Sequence, residues 1–111
     1  EDAGMVVGER EGQTRVRRAA KVDANQAEVV KALRKIGVVV TPIHQLGRGV
    51  PDLLCSYRQV WTLLEVKDGE KPPSARELTP DERRWISEQR APVFIVTSPL
   101  EAVGLLQSIK P

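Results

Sequence analysis

"PDLLCSYRQVWTLLEVK", residues 51–67, decides the fold. Two apolar runs of strand length, 51–57 and 60–67, flank the polar pair Arg58-Gln59, and this pattern predicts an antiparallel hairpin. Neither turn residue favours the positive φ of a two-residue turn. Folded about that pair, the strands set Tyr57 opposite Val60, Cys55 opposite Thr62, Leu53 opposite Leu64, and Asp52 opposite Glu65. Opposed side chains share a face, with Cβ atoms roughly 4.5–5.5 Å apart. The period of two brings Lys67 to that face as well. Two carboxylates and an ammonium thus meet at one end of the sheet, and a slip of one residue would separate them.

Opposed carboxylates repel and gain little from burial. Two accounts of the cluster are open. Lys67 could neutralise both acids in a buried ion cluster. Alternatively, the acids could hold a divalent cation through hard oxygen ligands, with Mg²⁺ the usual choice where one or two carboxylates are supplied. Lys67 would then orient a water or stabilise developing charge. Local chemistry weighs the two evenly.

Working outward, "VDANQAEVVKALRKIG" (22–37) predicts a helix with Asp23 as N-cap, Gln26 completing a capping box, and Gly37 as the stop. Its apolar positions Ala27, Val30, Leu33 and Ile36 recur at helical spacing. "VVVTPI" (38–43) reads as a strand and "HQLGRG" (44–49) as a loop. A charged, proline-bearing loop over 68–77 leads to a second helix at "LTPDERRWISEQR" (78–90), capped by Thr79, with Pro80 at N1 and Glu82 at N3. "PVFIVT" (92–97) is a short strand. "SPLEAVGLLQSIK" (98–110) is a third helix, capped by Ser98. The order αβββαβα predicts an α/β domain: a mixed four-stranded sheet flanked by helices.

At 111 residues the chain suits one domain with a single core. Residues 1–21, rich in glycine and charge, read as a flexible basic arm carrying Arg15, Arg17, Arg18 and Lys21, ahead of one domain over 22–111. Met5 suits a native start, with 1–4 an expression remnant. One His and one Cys exclude a Cys/His zinc site and an internal disulfide, so any metal must be oxygen-ligated. No apolar run approaches the roughly 20 residues of a membrane span. The net charge of +2 argues only weakly for nucleic acid, and four aromatics are too few for a single-strand stacking platform.

The signature Pro51-Asp52, twelve residues, then Glu65-Val66-Lys67 resembles that of PD-(D/E)XK nucleases. Bare, it is weak. With "GRGVPDLL", "LLEVKDG", "LTPDERRW" and "PVFIVTSPLEAV" around it, the chain resembles the VRR-NUC branch of that superfamily over about 22–108. The branch is related to Holliday-junction-resolvase-like nucleases. The resemblance implies a restriction-endonuclease-like core and a Mg²⁺- or Mn²⁺-dependent endodeoxyribonuclease. It implies that Asp52, Glu65 and the Val66 backbone carbonyl bind the metal, and that Lys67 helps position the attacking water. Glu28 matches an acid that completes the metal shell in such nucleases, although it also reads as a plain helix-surface glutamate. Many relatives carry glutamine near position 82. Here Glu82 either closes the capping box with Thr79 or adds charge near the metal.

Arg48, Gln45, Arg83 and Arg84 are candidate DNA contacts. His44 could act as a base or contact DNA, and is more often neither. Cys55, Trp61 and Trp85 read as packing residues. So small a protein suits recognition of branched DNA by shape, and a symmetric junction cut needs two sites, hence a C₂ homodimer. No membrane and no nucleotide cofactor are expected, and the cytoplasm of a bacterial or phage-infected cell is the expected setting. The rivals are a flap or restriction-like nuclease in a larger assembly, and a non-catalytic DNA-binding subunit that kept the fold.

Overall fold

The computed structural model describes residues 22–111; the basic arm and the Met5 start expected over 1–21 lie outside the described residues. Helix α1 (Gln26–Lys35) leads into β1 (Val39–Pro42), and the hairpin β2 (Leu53–Tyr57) and β3 (Val60–Val66) follows. Helix α2 (Pro80–Ser87) then connects to β4 (Val93–Val96), and α3 (Pro99–Ser108) closes the chain. The sheet order is β1-β2-β3-β4. The first two pairings are antiparallel and β3–β4 is parallel, so the expected mixed α/β architecture is the one observed.

The hairpin register is the predicted one, with Tyr57 opposite Val60 and Leu53 opposite Leu64. Its turn places both Arg58 (φ 52) and Gln59 (φ 70) at positive φ, as two-residue hairpin turns with the sheet's own twist require. The Arg58 side chain offsets that strain. It lies over the Tyr57 ring at 5.1 Å and donates to the Gln107 carbonyl at 2.7 Å, in the last turn of α3, where a cation complements the helix dipole.

Alternation along the strands separates two faces. Val40, Leu53, Cys55, Leu64, Val66 and Val96 face one side and form the core with Val29 and Leu33 of α1 and Ala102 and Leu106 of α3. Cys55 is buried there, as expected. On the opposite side Val39, Ser56 and Trp61 lie in one row across three strands, and Trp61 is 72% exposed. It is therefore not the packing residue expected from its size. Its parity in β3 turns it away from the core.

Helix α1 differs from its reading in two respects. The N-cap is Asn25, not Asp23, and the Asp23 carbonyl instead accepts the Gln26 N–H at 3.0 Å. Gln26 is the first helical residue and is buried with Val29 and Leu33, whereas Ala27 is exposed. Steps of three residues turn only 300°, so a stripe at 27, 30, 33 and 36 drifts around the helix. The face that stays on the core needs mixed steps of three and four. The C-terminal stop holds: Gly37 at φ +95 donates to Arg34, and Val38 donates to Leu33, the paired bonds of a glycine-ended helix.

Candidate active site

Asp52 immediately precedes β2, and Lys67 immediately follows β3. Extending the register by one pair sets Asp52 across from Glu65, on the sheet face opposite the core. Both acids and the lysine are nevertheless buried, at 8%, 3% and 7% exposure, because the 47–50 loop and the first turn of α2 close over that end. They line a cleft of about 370 Å³ with His44, Gly47, Arg48, Gly49, Val50, Asp23, Lys71, Ala75, Glu77, Thr79, Asp81 and Glu82.

The Asp52 carboxylate accepts the Val66 N–H at 2.7 Å, and its own carbonyl accepts the Ile43 N–H at 2.8 Å. These bonds tie the acid to both neighbouring segments. In an extended strand the N–H and C=O of one residue leave on the same side, so the Val66 carbonyl also faces the Asp52 side. Lys67 Nζ lies 2.7 Å from Glu82 Oε1 and 3.5 Å from Glu65 Oε2. The same Glu82 oxygen accepts the Thr79 N–H at 2.9 Å, while Thr79 Oγ1 accepts the Glu82 N–H at 3.1 Å. Of the roles considered for Glu82, the capping one is observed, and the oxygen that caps α2 also grips Lys67.

Burial pushes Glu65 up to about 9, with the charge of Asp52 adding to it. Burial likewise raises Asp52, against the opposing Val66 N–H bond. Lys67 stays charged: burial lowers its pKa, but the Glu82 hydrogen bond and the charges of Glu82 and Glu65 carry it above its ordinary value. Burial also works against ionised Glu82, yet Lys67 and the Thr79 N–H hold it below the usual carboxylate range. Without a metal, the site therefore keeps a proton on the Asp52–Glu65 pair and a charge pair between Lys67 and Glu82.

The remaining candidates divide. Arg48 and His44 line the cleft, and His44 Nδ1 lies 3.3 Å from Gln26 Nε2. Glu28 is exposed and borders a different depression, with Asp68, Glu70 and Ser98. The structure does not bring it to the acid pair, because Val29 and Gln26 hold the inward side of α1. Gln45 and Arg83 are exposed and outside the cleft lining. Arg84 lies 3.3 Å from Asp81 on its own helix. Trp85 is half-buried.

The sequence reading missed Asn25. Its Nδ2 donates to the backbone carbonyls of Lys67 at 3.2 Å and Thr97 at 3.1 Å, bracing the strand ends under the site. Asp23, the expected cap of α1, instead lines the cleft, 3.4 Å from Lys71. No local pattern announces either contact, since the partners lie 42 or more residues away in the chain.

The αβββαβα order and the Asp52–Glu65 pair with Lys67 match the pattern of a nuclease domain of the PD-(D/E)XK type. The more particular resemblance, to the VRR-NUC branch, holds as well. The chain is similar to a solved structure described as a VRR_NUC domain, at 27% identity and a TM-score of 0.53, over 78% of this chain and 98% of that one. No family model and no curated protein matches the sequence. No helix among the described residues is long and apolar enough to cross a membrane.

Proposed function

We propose that the chain is a Mg²⁺- or Mn²⁺-dependent endodeoxyribonuclease acting on branched DNA, with Asp52, Glu65 and the Val66 carbonyl as metal ligands. The observation that carries this reading is the hairpin register, which forces two acids into one buried corner away from the core. The donor set fits a hard cation. Among the described residues no three His, Cys, Asp or Glu side chains form a ready metal cage, and two carboxylates plus a carbonyl leave positions for water, as Mg²⁺ prefers. A bound cation would offset the acid repulsion, polarise a phosphoryl oxygen and lower the pKa of water.

The chain's own residues supply the rest. To hold a cation, the Asp52–Glu65 pair would have to release its proton to solvent, since only ionised carboxylates ligate well. Lys67, kept cationic and aimed by Glu82, holds the attacking water and the charge that develops on the phosphate. Burial of the corner excludes competing solvent and strengthens these interactions. Glu28, exposed and outside the cleft lining, has no part in the metal shell in this reading. A C₂ homodimer supplies the two active sites that symmetric junction cutting requires.

The test is cleavage of matched linear duplex, flap and four-way junction DNA with Mn²⁺, with a native mass measurement on the same protein. Paired junction cuts and a dimeric mass are expected, with Asp52→Ala reducing cutting by a factor of about 10²–10³. Cutting that survives Asp52→Ala would overturn the site. Tight binding without cutting of any substrate would favour the non-catalytic DNA-binding subunit instead.

A further inference from the structure

The cleft is strongly acidic for a site that must receive a phosphodiester. Six of its lining side chains are carboxylates, against Lys67, Lys71 and Arg48. Lys67 is held by Glu82, and Lys71 Nζ lies 3.4 Å from Asp23. Arg48 forms no ion pair with another described residue.

Its mounting is unusual. Arg48 sits at φ 57, between Gly47 at φ 66 and Gly49 at φ 85. A non-glycine residue is uncommon on this side of φ. The other two described instances, Arg58 and Gln59, are explained by the hairpin turn they form. At position 48 glycine would adopt a positive φ at lower cost, and a strained non-glycine residue points towards function.

The loop is also fixed in place. A Cβ at Gly49 would collide with the Asp81 carbonyl and the Glu82 nitrogen, so the loop backbone is pressed against the first turn of α2. That turn carries Glu82, which grips Lys67. The backbone that carries Arg48, which has no ion pair with another described residue, is therefore held at a set position relative to the acid pair.

We propose that Arg48 is the phosphate-holding group of the cleft, gripping a DNA phosphodiester that the surrounding carboxylates would otherwise repel. The planar fork of a guanidinium suits two phosphate oxygens at once. This inference rests on DNA as the substrate of the cleft, and not on its being cut. The contact positions the backbone and carries no sequence information. It would therefore weaken binding evenly across sequences when lost.

Arg48→Gly tests this cleanly, because the variant keeps the backbone the loop already has. Binding of a short labelled DNA duplex is measured by fluorescence anisotropy in Ca²⁺ buffer across a salt series, with Mn²⁺ titrated separately by calorimetry. The expected result is a melting temperature close to wild type, unchanged Mn²⁺ affinity and DNA binding weaker by about tenfold. The slope of log K against log[salt] should fall by about 0.9. Arg48→Lys should keep the slope and lose part of the affinity. Arg48→Asn, whose side chain also tolerates positive φ, repeats the test if the glycine variant proves unstable.

DNA binding with the wild-type slope and affinity in both neutral variants would overturn the assignment. If wild type cuts no DNA but the neutral variants still lose the slope, the phosphate contact stands and the hydrolase reading fails. If wild type cuts DNA and the slope is unchanged, the reverse holds.

Discussion

Leu64 and Glu65 are neighbours on β3 and are almost equally shut from water, at 0% and 3% exposure. Leu64 meets the core with Leu53 and Cys55, while one step of the pleat turns Glu65 to the opposite face beside Asp52. Equal burial has opposite consequences. Apolar burial is a main source of stability, at roughly 25 cal/mol per Å², whereas burying a charge costs free energy unless pairing offsets it. The fold is secured on one face of the hairpin, and its chemistry is concentrated on the other.

Three substitutions can break or sharpen that contrast. Leu64→Ala should have the largest effect on stability, about 2–5 kcal/mol by denaturant unfolding, because it opens a cavity where Leu53 and α1 cannot collapse. Glu65→Gln, next door, should lower the stability of the metal-free protein by far less. An equal loss from both would show that the acid corner is part of what holds the sheet together.

The second test is pH. Folded Glu65 releases its proton near 9, against an ordinary value of 4.5. Between these values the native state holds a proton that the unfolded chain has given up. The resulting stability is complete below about pH 4.5 and is lost as pH rises towards 9. Raised Asp52 acts in the same direction. In chelator, the melting temperature should therefore fall from pH 5 to 9, Glu65→Gln should flatten the decline, and saturating Mn²⁺ should stabilise most at the alkaline end. A flat wild-type profile would mean the pair ionises freely.

The smallest effect belongs to Thr79→Ala, about 1 kcal/mol through the lost cap of α2. If α2 positions Glu82 as argued, the variant should also slow cleavage severalfold without changing Mn²⁺ affinity. A stability change with unaltered turnover would separate the cap from the grip on Lys67.

Much of this was legible in the sequence, for identifiable reasons. Alternation in residues 51–67 specified the hairpin and its register, because a one-residue slip would have turned Leu53, Cys55 and Leu64 out of the core. The Thr79–Glu82 spacing and the cap residue Ser98 marked two helix starts through bonds made within four residues. At α1 the same logic failed. The helix is capped at Asn25 rather than Asp23, and Asn25 reaches the distant carbonyls of Lys67 and Thr97.

The sequence by itself determined the element order, the hairpin register and the pairing of Asp52 with Glu65, since each depends on periodicity or short-range hydrogen bonds. Only the tertiary structure decided that Glu28 lies outside the cleft lining and that Glu82 grips Lys67. Those facts depend on how α1 rotates against the sheet and where α2 docks. Such placements come from contacts between residues distant in the chain, which no local spacing encodes.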